Sequence, residues 1–247
     1  MRPSRTPLRA AWQAGRVTLP AALPPAVDRP FAAVLFDMDG TLISSIAAVE
    51  RSWNLLAHEF GFTMTDLGEV HGIPARATVD RLLADRSEEE RERAARRMLR
   101  LEIEDVSGVV VLPGTRAALA ALLPGRCAIV TSCTADLARV RMAAAGLGDI
   151  RRITADDVVR GKPDPEPYLA GAALLGVPPE GCLVVEDAGA GLASARAAGM
   201  ATLGLATTHR AQDLLADLVV PDLDAVEFRV DDDGVRLRLR GNHPLPG

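Results

Sequence analysis

The chain is poor in aromatic residues, which fill 3% of its 247 positions, so stacking platforms for nucleic-acid bases are not expected. Its cysteines, Cys127, Cys133 and Cys182, are an odd number without metal-ligand spacing, and two of them fall inside predicted strands. That argues against a disulfide framework and suits a reducing, cytoplasmic setting. Its four histidines, His58, His71, His209 and His243, are scattered, which disfavours a His-based zinc site. No apolar run approaches the roughly 20 residues of a transmembrane helix, so no membrane partner is expected. Acidic residues are missing before Asp28, where Arg2, Arg5, Arg9 and Arg16 stand instead. Serine is sparse there, proline is frequent and no secretory apolar core exists. Residues 1–30 therefore read as a disordered or loosely docked basic tail.

What remains is the composition of a soluble globular protein: 48% hydrophobic, 25% charged and 26.1 kDa, enough for one domain with an insertion. A net charge of −5 gives no overall attraction to nucleic acid or anionic membranes. The apolar run Phe31-Ala-Ala-Val-Leu-Phe36 leads straight into Asp37-Met38-Asp39-Gly40. Such a run suits a buried parallel strand, with the aspartates at its carboxyl end, where open α/β sheets bind ligands. Carboxylates so close repel each other unless a cation or a shared proton relieves them.

After this strand, Ile46, Val49, Trp53, Leu56 and Phe60 mark one face of an amphipathic helix, with Ser44 or Ser45 available as its cap. A turn at His71-Gly72-Ile73-Pro74 precedes a helix holding Val79, Leu82 and Leu83. Residues 87–105 are dense in Glu and Arg, with Ser87 ahead of Glu88-Glu89-Glu90, which predicts a capped helix with a solvated face. Residues 44–112 thus read as a helical insertion over the ligand end of a sheet. Helices at 115–123, 135–145, around 165 and at 190–198 then alternate with strands at 127–131, near 153, at 182–186 and at 201–205. That alternation predicts βαβ units, hence an α/β fold with a doubly wound parallel sheet built from residues 31–43 and 113–225. Leu218–Val220 adds a late strand, and residues 226–247 form an extension with a possible hairpin.

Four stations fall at or just beyond predicted strand ends: Asp37 with Asp39, Thr131 with Ser132, Lys162, and Glu186 with Asp187. The set supplies carboxylates for a hard cation, hydroxyls and turn amides for oxyanions, and a point positive charge. That combination matches phosphoryl transfer with Mg2+.

In this order the stations resemble the haloacid dehalogenase superfamily. Asp37-Met-Asp-Gly-Thr-Leu42 is similar to its first motif, Ile129-Val-Thr-Ser132 to its second, Gly161-Lys162-Pro-Asp-Pro165 to its third and Val185-Glu186-Asp187-Ala188-Gly189 to its fourth. The resemblance covers about residues 31–225. It implies that Asp37 is a nucleophile forming an aspartyl-phosphate, and that Asp39 protonates the leaving alcohol and then activates water. Mg2+ would be held by Asp37, the Asp39 backbone carbonyl and Asp187, with Glu186 as a ligand or a partner behind the ligands. Lys162 would offset charge on Asp37 and the phosphoryl oxygens, and Thr131 or Ser132 would bond the phosphoryl group.

Branches of the family differ at a few positions. Dehalogenases lack an acid/base aspartate where Asp39 stands. Phosphonatases use a cap lysine, and residues 43–112 contain none. β-Phosphoglucomutase-like members share both aspartates and the helical cap and remain the rival, though many carry Val where this chain has the phosphatase-like Thr41. The stretches around Glu50 to Trp53 and from Val70 to Arg76 resemble the sugar-phosphate and polyol-phosphate phosphatases, so Glu50, His71 and Arg76 are expected to face the substrate, while Trp53 reads as core. The reading is a Mg2+-dependent phosphatase of small sugar or polyol phosphates, with a phosphomutase and a non-catalytic metabolite-binding protein as alternatives.

Overall fold

The computed structural model describes residues 17–67, 75–122 and 125–240. Strand β1 (Ala33–Phe36) is followed by β2 (Ile43–Ser44) and four helices: α1 (Ile46–Phe60), α2 (Met64–Leu67), α3 (Ala75–Leu82) and α4 (Glu88–Glu104). Then come β3 (Val110–Val111), α5 (Thr115–Leu122), β4 (Cys127–Val130), α6 (Ala135–Ala145) and β5 (Arg152–Ile153). The alternation continues with α7 (Glu166–Leu175), β6 (Cys182–Glu186), α8 (Gly189–Ala197), β7 (Ala201–Leu205) and β8 (Leu218–Val220). The antiparallel hairpin β9 (Val226–Asp231) and β10 (Gly234–Leu239) closes the described chain.

Six strands form one sheet in the order β5-β4-β1-β6-β7-β8, and every pair in it is parallel. The expected doubly wound α/β fold is present. Its strand order reverses at β1, the topological switch point where such sheets open a crevice beyond the strand ends. Alternation along β1 divides the core. Val34 and Phe36 pack on one face with Ile129, Leu183, Val185 and the hairpin residues Phe228, Val235 and Leu237. Ala33 and Leu35 pack on the other with Ala128, Val130, Val184 and Tyr168. The hairpin is part of this core: Phe36 and Phe228 meet edge to face at 5.9 Å, and Phe31 exchanges two backbone hydrogen bonds with Val235.

Of the expected N-terminal tail, residues 1–16 lie outside the described residues. Residues 17–30 are docked, with Val27 fully buried in the core, Leu19 and Leu23 against it, and Arg29 bonded to the Glu180 carbonyl at 2.7 Å.

Helices α1, α3 and α4 share a separate apolar cluster of Trp53, Leu56, Val79, Leu83, Ala94, Met98 and Leu101. Their connection to the sheet is slender. Strand β2 leaves the core and β3 returns to it, and the two pair antiparallel, Ile43 with Val111 and Ser44 with Val110. Ser87 caps α4 in a reciprocal box with Glu90, as its spacing predicts. Ser45 stands at the start of α1 but makes no side-chain cap bond. Most of the charge run on α4 is solvated, but Glu102 is 8% exposed, contrary to the reading of that run as a solvated face. The reason is tertiary: Arg141 of α6 meets it.

Candidate active site

The central strand β1 delivers Asp37 to the middle of the sheet's carboxyl edge, flanked by the ends of β4 and β6. Parallel pairing on both sides brings Thr131 and Glu186-Asp187 next to it. Lys162 arrives from the loop between β5 and α7. It is the only lysine in the chain, and its side chain is 6% exposed. Its Nζ donates to Asp37 Oδ1 at 2.7 Å, to Glu186 Oε1 at 2.7 Å and to the Val130 carbonyl at 2.9 Å. All three ammonium protons therefore have acceptors, which is what burial of a cation demands. Burial alone would lower its pKa, but the Asp37 and Glu186 carboxylates more than offset that and hold it well above the usual lysine value.

Glu186 is saturated. Its Oε1 accepts from Lys162 and from the Tyr168 hydroxyl at 3.0 Å, and its Oε2 accepts from the Asp187 and Ala188 amides, each at 3.0 Å. Asp187 takes the Thr41 hydroxyl on Oδ1 at 3.2 Å and the Thr208 hydroxyl on Oδ2. Oxygen atoms of Asp37, Glu186 and Asp187 all lie within 4.8 Å of one another, and all three residues are buried. One lysine faces three carboxylates there. Burial raises the carboxyl pKa of Asp37 well above its ordinary value despite Lys162. Burial and then Glu186 push Asp187 up to about 7. An all-oxygen donor set with unbalanced negative charge fits a hard divalent cation such as Mg2+.

Two glycines make room for this cluster. Gly40, at φ +91°, lies so close to the Asp187 carboxylate that a Cβ would collide with Oδ2, and a Cβ on Gly191 would collide with Glu186 Oε1. Gly40 and Gly191 beside the acids are thus steric requirements of the site.

Asp39 points elsewhere, and its carboxylate is not in the cation cluster. Its Oδ2 receives Arg141 Nη1 at 3.1 Å and the Cys133 thiol at 3.2 Å. Among the described residues its Oδ1 is buried without a hydrogen-bond partner. Both aspartates border a cavity of about 510 Å³ between the sheet's carboxyl edge and the helical insertion. Ser132 and Thr131 line it too. Thr131 is buried and its Oγ1 accepts from the Cys133 amide at 3.1 Å, while Ser132 is exposed. From the insertion, Ile46, Val49, Trp53 and Leu99 form an apolar wall, with Arg76, Glu92 and Arg96 among the polar groups.

The expected substrate residues of the insertion fare differently. Arg76 lines the cavity, but its guanidinium is held by Asp80 at 2.9 Å and Glu88 at 2.5 Å. Glu50 does not line it, because Ile46, Val49 and Trp53 occupy the inward face of α1 and Glu50 stands on its flank. His71 lies outside the described residues. Trp53 belongs to the apolar cluster of the insertion, where its ring meets Phe62 at 6.4 Å, and it also borders the cavity.

Sequence reasoning missed Arg141, Glu102, Tyr168 and Thr208 as site residues. Thr208 follows the end of β7 and so stood at another strand end. Arg141 gave a fainter signal, a charged residue within the buried face of α6 that runs Leu137, Ala138, Arg141, Met142, Ala145.

Fold and site together define a doubly wound α/β enzyme with a carboxylate cluster at the switch point and a helical insertion above it. The family model of the haloacid dehalogenase-like hydrolases matches residues 31–199, and the chain belongs to that family. Hexitol phosphatase A of Escherichia coli (strain K12) is 39% identical over 201 residues, covering 78% of this chain and 91% of the relative. Validoxylamine A 7'-phosphate phosphatase of Streptomyces hygroscopicus subsp. limoneus is 36% identical over 203 residues, covering 78% and 95%. Among solved structures, β-phosphoglucomutase from Clostridium difficile superposes with a TM-score of 0.68 at 26% identity, covering 78% of this chain and 92% of that one. Among the described residues, no helix is long and apolar enough to cross a membrane.

Proposed function

We propose that this hydrolase is a Mg2+-dependent phosphatase of small sugar or polyol phosphates, working through an aspartyl-phosphate on Asp37. It is a phosphoric monoester hydrolase. The observation that carries the reading is the Lys162 ammonium seated between Asp37 and Glu186, beside Asp187, on adjacent strand ends. Asp37 and Asp187 would hold Mg2+ together with the backbone carbonyl of Asp39. Glu186, with both oxygens already occupied, serves better as the group that fixes Lys162 and the Asp187 loop. The cation, when bound, supplies charge neutralisation for the phosphoryl oxygens and keeps the two aspartates ionised.

The chain's own groups divide the chemistry. An Asp37 oxygen attacks phosphorus as the bond to the leaving alcohol breaks, and Asp39 passes a proton to that alcohol oxygen. Asp39 then takes a proton from the water that attacks phosphorus, and the Asp37–phosphorus bond breaks, releasing phosphate. Lys162 holds charge next to the transferring group, and Thr131 or Ser132 bonds its oxygens. The helical insertion excludes bulk water and, through the cavity wall on α1 and α4, selects the alcohol.

Support for the substrate class comes from relatives named for hexitol and validoxylamine phosphates. The structural likeness to a β-phosphoglucomutase keeps the mutase as the second reading. A mutase needs a bisphosphate primer and returns little inorganic phosphate. A non-catalytic binder has no need of Asp37, Asp39, Lys162 and Asp187 together. A screen of sugar and polyol phosphates for Mg2+-dependent phosphate release, with Asp37→Asn as blank, tests the reading. Release by Asp37→Asn, or release without Mg2+, contradicts it.

A further inference from the structure

We propose that Arg141 is a positioning residue that ties the acid/base Asp39 to closure of the helical insertion, with Glu102 as its partner on the insertion side. The proposal rests on the phosphatase reading above. Arg141 stands on core helix α6 and is 4% exposed. One branch of its guanidinium, Nη1, reaches Asp39 Oδ2 at 3.1 Å and also donates to Cys133 Sγ at 3.3 Å. The other branch, Nη2, donates to Glu102 Oε1 on α4 at 2.8 Å. A planar guanidinium held at both ends has little freedom to rotate, so its ion pair with Oδ2 restrains where the Asp39 carboxylate stands. The remaining oxygen, Oδ1, is buried with no partner among the described residues, and Asp39 lines the cavity. A buried carboxylate oxygen without a partner is costly in a resting fold, so the Arg141 contact on the other oxygen carries the anchoring of the Asp39 side chain at the cavity's edge.

The two carboxylates belong to different bodies. Asp39 follows β1 in the core, while Glu102 rides on α4, which connects to the core through the β2–β3 ribbon. Any opening of the insertion about that ribbon carries Glu102 away from Arg141. Arg141 then loses the contact that fixes its far end, and Asp39 loses its aim. Proton transfer is thereby confined to the closed state, in which bulk water is excluded.

The test uses the full-length enzyme with Mg2+ and two esters, glycerol phosphate and p-nitrophenyl phosphate, on Glu102→Gln, Arg141→Met, the double variant and Asp37→Asn. Loss of aim at Asp39 lowers kcat for glycerol phosphate about 10²-fold in Arg141→Met, with KM within about threefold, and less in Glu102→Gln. Nitrophenolate leaves without an acid, so attack by Asp37 stays fast while hydrolysis of the resulting acyl phosphate, which needs Asp39 as base, slows. Both single variants then show a nitrophenolate burst approaching one per enzyme, followed by slow turnover. Adding Glu102→Gln to Arg141→Met costs less than about twofold, because Glu102 acts through Arg141. Additive losses, a raised KM at unchanged kcat, or burst and turnover falling in proportion overturn the proposal. Asp37→Asn separates the two readings: turnover surviving there defeats the phosphatase mechanism itself, whatever Arg141 does.

Discussion

Replacing Lys162 by Met keeps a side chain of similar length and removes the cation seated in the carboxylate cluster. Two charged contacts of 2.7 Å are lost, to Asp37 and Glu186. At an effective dielectric constant near 20, each such contact is worth about 6 kcal/mol before desolvation. The lysine itself is buried, so several kcal/mol of that attraction already goes to offset its own desolvation. Removing one partner of a buried pair leaves the other charge stranded, and the net expectation is a loss of about 3–5 kcal/mol of folding stability. The sign of the pH dependence follows from Asp37. Its carboxyl already sits above its ordinary value through burial, and without Lys162 it rises further. An acid whose folded pKa is raised costs stability above that pKa and regains it as pH falls and the folded state takes up the proton. Urea unfolding in EDTA, which keeps divalent cations from substituting for the lysine, measures the effect. The deficit should be larger near pH 8 than near pH 5.5. A deficit below about 1 kcal/mol near pH 8, or one equal at both pH values, refutes the reasoning.

Thr41→Val keeps shape and removes the hydroxyl that donates to Asp187 Oδ1. Titration of activity with Mg2+ should show the metal requirement rise about 10-fold, with kcat at saturating Mg2+ little changed. Asp187, pushed up to about 7 by burial and Glu186, holds a proton below that pH in the metal-free enzyme. Mg2+ must displace it, so affinity should rise as pH climbs towards 7 and level off above it. Calorimetry in two buffers of different ionisation heat should detect proton release near pH 6.5 and less near pH 8.5. Gly191→Ala forces a methyl group into the Glu186 carboxylate and should lower both thermal stability and Mg2+ response. An unchanged melting temperature would contradict the packing described.

Much of the core site was legible because of how parallel sheets are built. Short, fully buried strands such as Cys127–Val130 and Cys182–Glu186 leave a continuous apolar signature, and the polar residue at or just past the end of each one stands out. The single lysine between glycine and proline was equally visible. Arg141 and Glu102 were not, because their pairing joins two helices 39 positions apart in sequence. Glu102 also sits in a stretch dense with Glu and Arg, most of them solvated ion pairs such as Arg96 with Glu92, which hides one buried member. Glu50 shows the converse: motif likeness names a residue but not the side of the helix it faces, and here it stands off the cavity lining.

The central claim is that Asp37 carries the phosphoryl group. Acid quenching during turnover of glycerol phosphate, borohydride reduction and peptide mapping tests it directly, since reduction converts an aspartyl-phosphate to homoserine. Homoserine at position 37, and its absence when substrate is omitted, is the expected result. Modification at another residue, or none while phosphate is being released, would contradict it.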